Sequence, residues 1–207
     1  MRLFFREPLH FRFLGGKEMK NPKPKEWLTK DLSKGNVADY KPYNFVDGEG
    51  IRCSIYVSGC LFACEGCYNR VAQNFRYGKP YTKELEDQIL KDLEASYCQG
   101  LTLLGGEPFL NTNILIPLCK AIRDKFGDSK DIWSWTGYTW DEMMLESDDK
   151  LELLNLIDIL VDGRFEIAKK DLTLQFRGSS NQRIIDVKKS LAQDRVVIWE
   201  RLNDPKK

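Results

Sequence analysis

Three of the six cysteines in this 207-residue chain fall in "SGCLFACEGCYNR", residues 58–70, as Cys60, Cys64 and Cys67. A disulfide uses two sulfurs and a closed structural zinc site uses four ligands, so a set of three asks for another chemistry. Thiolates are the soft ligands that iron–sulfur clusters use. In a [4Fe–4S] cube, three cysteines hold three irons and leave the fourth open to a ligand or substrate. The spacing C-x3-C-x2-C therefore suits a cluster whose missing ligand is the reactive position. Two other readings stand beside it. A zinc site would draw its fourth ligand from Cys53, Cys98 or His10, and a redox pair of Cys64 and Cys67 would leave Cys60 without a task. Cys53, Cys98 and Cys119 read as core or near-core residues, since free cysteines are usually small buried hydrophobes.

A second group of candidates is Gly105, Gly106 and Glu107, at the end of "GLTLLGGEP". Glycine backbone permits positive φ and close approach of a ligand, and a carboxylate suits an ammonium group. Thr136 and Gly137 end "DIWSWTG", and Asp162 stands in "VDGRF". The Trp residues of that stretch, Trp133, Trp135 and Trp140, are expected to pack.

The elements that must position these groups alternate between two periods. "RCSIYVS" (52–58) alternates with Cys53, Ile55 and Val57 on one face and predicts a strand. Residues 82–96 place Leu85, Ile89 and Leu93 at helical spacing, with Thr82 as N-cap. "GLTLLGGEP" predicts a second strand. Residues 111–127 predict a helix with Leu115, Leu118, Cys119 and Ile122 inward and Gly127 at its C-terminus. "DIWSWTG" predicts a third strand, and Thr139 with Glu142 forms a capping box that opens the next helix. "LLNLIDILVDGRF" runs from helix into a fourth strand, and "RVVIWE" (195–200) predicts a late one. Such alternation predicts a parallel α/β sheet with crossover helices. The cysteine loop, "GGEP", "TGY" and "DGRF" each follow a strand, so four signals converge on the carboxyl rim, where such folds place their chemistry. The chain is short for eight βα units, so an incomplete TIM-type barrel is expected. "RGSSNQR" (177–183) is polar and reads either as a capping loop or as a binding loop for a partner or a carboxylate.

The net charge is +1, with 42% hydrophobic and 30% charged residues. No basic stripe marks a nucleic-acid binder, and no apolar run is long enough to span a bilayer. The first residues, "MRLFFREPLHF", lack the apolar stretch and cleavage site of a signal peptide. A cytoplasmic setting is expected, where closely spaced cysteines point to metal or catalysis. "LGGKEM" (14–19) has the residues that a purine-rich ribosome-binding site and a start codon would encode. Translation is accordingly expected to begin at Met19, with residues 1–18 a disordered upstream extension. A native peptide from within 1–18, found by mass spectrometry, would reject this.

The cysteine spacing followed by Tyr68, and then by a strand ending in "GGEP", resembles the radical S-adenosylmethionine (SAM) superfamily. Together, "NFVDGEGIRCSIYVSGCLFACEGCYNR", "LLGGEPF", "DIWSWTGYTWDEM", "IDILVDGRF" and "FRGSSNQRIID" resemble the anaerobic ribonucleoside-triphosphate reductase branch of the glycyl-radical enzyme activases, from about residue 20 to about residue 200. The resemblance implies a radical SAM domain over 41–207, preceded by an N-terminal segment, 19–40. It implies a [4Fe–4S] cluster on Cys60, Cys64 and Cys67 with SAM on the open iron. It places Gly66, Cys67, Tyr68, Gly105, Gly106, Glu107 and Thr136 around SAM, with Tyr68 beside the adenine and the glycine turn on the methionine moiety. The implied reaction is reductive cleavage of SAM to a 5′-deoxyadenosyl radical, which takes a hydrogen from a glycine of the large reductase subunit. The implied electron donor is flavodoxin-like or thiol-based. Activation of a pyruvate formate-lyase-type enzyme, radical SAM chemistry on a small molecule, and a non-catalytic zinc module are the alternatives.

Overall fold

The structure is a computed structural model that describes residues 21–200. Residues 1–18, where the start-site expectation falls, lie outside the described residues. The helices are α1 (Thr29–Leu32), α2 (Lys83–Asp92), α3 (Thr112–Phe126), α4 (Trp140–Met143), α5 (Asp148–Asn155) and α6 (Val187–Gln193). The strands are β1 (Asn36–Asn44), β2 (Ile51–Val57), β3 (Lys79–Pro80), β4 (Cys98–Gly105), β5 (Asp131–Trp135), β6 (Ile159–Asp162) and β7 (Arg183–Asp186). They form one open seven-stranded sheet in the order β3-β1-β2-β4-β5-β6-β7. Strands β2, β4, β5 and β6 run parallel, as the βα alternation predicts.

The flanks depart from that expectation. β1 meets β2, and β7 meets β6, antiparallel. Only six residues join β1 to β2, too few for the crossover that parallel neighbours need. β7 is reached through irregular chain, residues 163–182, with one short 3₁₀ turn and no crossover helix. The late strand expected over 195–200 is an irregular edge. Ile198 bridges Ile185, Asp186 N donates to Val197 O (2.9 Å), and Trp199 N donates to Ile184 O (2.9 Å).

The sheet alternates between two cores. Cys53, Ile55, Val57, Leu101, Leu103, Ile132, Leu160 and Ile185 face the core shared with α3 and α5. Trp133, Ile159, Val161 and Ile184 face the opposite side, covered by Trp135, Phe176 and Trp199. Helix ends follow the sequence signals. Thr82 Oγ1 accepts from Leu85 N (3.3 Å), and the Thr139–Glu142 capping box is complete. Gly127 ends α3 with φ +56°. Among the described residues no helix is long and apolar enough to cross a membrane.

Candidate functional site at the carboxyl rim

The carboxyl ends of β2, β4, β5 and β6 meet through short backbone contacts. From the end of β2, Gly59 N donates to Ala72 O (2.7 Å) and Cys60 N to Gln73 O (3.1 Å), so the cysteine loop closes on itself. The turn after β4 is clamped to this closure. Gly106 N donates to Val57 O (2.7 Å) and Glu107 N to Gly59 O (2.8 Å). A Cβ at Gly106 would lie 2.5 Å from Gly59 O and 2.8 Å from Ala72 O. Gly105 has φ +105°. These glycines thus permit close approach of the chain to itself.

Glu107 is buried and joins β4 to β5. Its Oε1 accepts from Phe109 N (3.1 Å) and Thr136 Oγ1 (2.9 Å), and its Oε2 accepts from Gly137 N (2.8 Å). Burial pushes its carboxyl up to about 7, against those hydrogen bonds. The carboxylate expected to receive an ammonium group therefore already accepts three protein donors. Thr136 also takes Tyr138 N (3.1 Å) on its hydroxyl and gives its own N–H to Val161 O (2.9 Å), which ties β5 to β6.

The loop is anchored from below by Phe62, buried against Trp27 (ring centroids 5.0 Å) and Tyr138 (4.9 Å). Gly137 makes room for it, since a Cβ there would fall 2.3 Å from the Phe62 ring. Above the ring lies the Arg164 guanidinium, 4.6 Å from its centroid, paired with Glu142 through Nη1–Oε2 (2.9 Å) and Nη2–Oε1 (3.0 Å). The "RGSSNQR" segment caps this corner. Asn181 Nδ2 donates to Arg164 O (2.8 Å), and Gln182 Nε2 donates to Gly163 O (3.0 Å). Asp162 is committed to structure, accepting from Trp140 N (2.8 Å) and pairing with Arg183 (2.5 Å).

Cys60, Cys64 and Cys67 are half-buried, and all are free thiols. The backbone between them turns left-handed at Ala63 (φ +52°) and Gly66 (φ +72°), and Cys67 N donates to Cys64 O (3.2 Å). A Cβ at Gly66 would reach Ile167 Cδ1 at 3.0 Å, so glycine lets the loop lie against the chain after β6. Burial pushes the Cys60 thiol up, helped by the charge of Glu107, and burial also pushes up Cys64, against the Phe165 N–H and Arg164. Thiols in such a place give up their protons to a bound cation. Among the described residues no three His, Cys, Asp or Glu side chains converge on one point as a mononuclear ion requires. A [4Fe–4S] cube puts each thiolate on a separate iron and asks for sulfurs set apart. Also buried there without a hydrogen-bond partner among the described residues are Ser58 Oγ, Tyr138 Oη, Arg164 Nε and Asn181 Oδ1. The donor set fits a soft, thiophilic cluster with polar groups nearby.

Of the residues expected around SAM, the structure brings Gly66, Gly105, Gly106, Glu107 and Thr136 into this rim, while the Tyr68 ring stands fully exposed. Phe62 and Arg164 were not singled out in the sequence, and Asn181 only as part of the "RGSSNQR" segment. The signal for Arg164 was its place just after a strand, shared with the other three rim segments.

The fold and this loop define the class first: a family model described as a 4Fe-4S single cluster domain matches residues 46–185. Named relatives narrow it. The anaerobic ribonucleoside-triphosphate reductase-activating protein of Pasteurella multocida (strain Pm70) is 44% identical over 153 residues, covering 72% of this chain and 96% of the relative. The proteins of the same name from Escherichia coli (strain K12) and Enterobacteria phage T4 are 42% and 40% identical, over 71% and 69% of this chain and 96% and 88% of their own lengths. The chain belongs to the family of anaerobic ribonucleoside-triphosphate reductase-activating proteins.

Proposed function

We propose that this chain is a radical SAM enzyme that activates the large subunit of anaerobic ribonucleoside-triphosphate reductase by generating a glycyl radical on it. The observation that carries this reading is the convergence of four strand ends on a three-thiol loop, in a chain of this family. We read the open sheet as a partial barrel of the radical SAM type, whose rim admits a peptide from the partner.

Cys60, Cys64 and Cys67 would hold the [4Fe–4S] cluster and leave one iron for SAM. When bound, the cluster would supply the electron for reductive cleavage of SAM. The chain's own residues bind and orient. Gly66 lets the loop seat against Phe165 and Ile167. The Gly105–Gly106 turn offers backbone to the methionine moiety, and Thr136 borders it. Glu107 holds Thr136 and Gly137 in place, and its charge favours a cationic ligand beside it. Tyr68, exposed on the loop, would stand beside the adenine. A flavodoxin-like or thiol-based reductant supplies the electron.

The test is anaerobic incubation with SAM, a reductant and the large reductase subunit. The expected result is 5′-deoxyadenosine together with a glycyl radical signal on the subunit. SAM cleavage without that signal would move the reading to a small-molecule enzyme, and no cleavage would remove it.

A further inference from the structure

Cys53 and Cys98 are buried, as the sequence suggests, but they are also placed against each other. Their sulfurs are 3.8 Å apart. They stand on the neighbouring parallel strands β2 and β4, where the register slips: Ile51 pairs with Cys98, and Arg52 with Gly100. The slip leaves Cys98 and Leu101 both in the helix-side core that Cys53 enters. An S–S bond of about 2.05 Å needs only a modest approach from there.

The surroundings make the two sulfurs unequal. Lys130 Nζ donates to Cys98 O (2.6 Å) and Ala95 O (3.0 Å), while Tyr40, on the Cys53 side, gives its hydroxyl to Asp92 Oδ2 (2.8 Å). The contact with Cys53, with the Lys130 charge adding to it, holds the Cys98 thiol down against burial. The same contact pushes Cys53 up. Cys98 is the first residue of β4, next to the exposed Tyr97 at the end of the strand.

We propose that Cys53 and Cys98 form a redox pair that closes to an intrachain disulfide under peroxide and reopens under thiol. The Cys98 thiolate attacks one peroxide oxygen; the O–O bond breaks, and the departing hydroxide takes a proton and leaves as water. The Cys53 sulfur then attacks the sulfenic sulfur of Cys98, gives up its proton, and expels a second water. The two cysteines lose two electrons and the peroxide gains them. Two equivalents of a small thiol reverse the step by exchange and leave as their own disulfide. The closed form ties β4 to β2, the strand that leads into the cysteine loop.

Cluster-loaded protein, treated with hydrogen peroxide, is alkylated under denaturing conditions and digested with trypsin and chymotrypsin. The second protease is required because Cys53 shares a tryptic peptide with the loop cysteines, and Cys98 shares one with Cys119. The expected result is a Cys53–Cys98 linked pair that dithiothreitol removes, in greater yield than any link to Cys119 or the loop. Oxidised wild type should also unfold at a higher temperature than reduced protein, a difference absent from Cys98→Ser. Recovery of Cys53 and Cys98 fully alkylated, or links from either mainly to loop cysteines, would overturn the proposal. Cys53→Ser serves as the second variant, with folding checked by circular dichroism.

Discussion

The six cysteines divide into two regions with opposite surroundings. Cys60, Cys64 and Cys67 are half-buried on a loop with left-handed turns, fixed by backbone contacts. Cys53, Cys98 and Cys119 are buried on regular elements, among aliphatic side chains. Burial pushes the Cys119 thiol up to about 12, and its surroundings are those of a core residue. The difference teaches that a thiol becomes a candidate ligand through the backbone that presents it. A loop held at both ends offers sulfurs to a guest, whereas a strand or helix face offers them to the core.

The largest effect should come from exchanging members of the two sets. Cys60→Ala is expected to lose the cluster and reduce SAM cleavage to background, measured as iron and sulfide content and 5′-deoxyadenosine. Cys119→Ala should keep both and cost about 1 kcal/mol in urea unfolding. Equal loss of iron in the two variants would erase the distinction. Next comes the loop's anchor: Phe62→Ala, at a fully buried ring, should cost about 3 kcal/mol and lower iron occupancy as well.

A smaller effect is expected at the glycine clamp. Gly106→Ala meets backbone oxygens of the cysteine loop and should cost about 2 kcal/mol, with weaker cluster retention. Gly127→Ala meets open space, but its positive φ strains alanine, at a cost of about 1 kcal/mol with iron unchanged. If both lose iron alike, the clamp is not what presents the loop. The smallest effect concerns Glu142. Burial raises its pKa, but the Arg164 hydrogen bonds and the Thr139 N–H outweigh this, and its carboxyl lies below the ordinary 4.5. A depressed folded pKa contributes stability that is present above 4.5 and lost as pH falls below it. Glu142→Gln should therefore flatten the acid limb of the stability–pH curve, seen as a smaller loss of melting temperature on acidification.

Much of the parallel centre was legible, because strand periods of two and helix periods near 3.6 leave their mark in the order of apolar residues. The Thr82 cap, the Thr139 capping box and the Gly127 helix end follow from local chemistry and stand where the sequence puts them. The antiparallel flanks were not legible, since partner choice depends on loop length and on which edge is free. Residues 195–200 carry a strand pattern yet form only an irregular edge along β7. The four rim segments were readable as strand ends. What joins them was not: the reach of Glu107 to Thr136 and Gly137, and of Arg164 to Glu142, spans parts of the chain with no shared period.

The central claim is that three loop thiols hold a cluster with one iron left open. Electron paramagnetic resonance of anaerobically purified, reduced protein, recorded with and without SAM, tests it most directly. The account predicts a [4Fe–4S] signal that changes on adding SAM and is missing from Cys60→Ala. A signal that SAM leaves unaltered, or that persists at full intensity in Cys60→Ala, would contradict it.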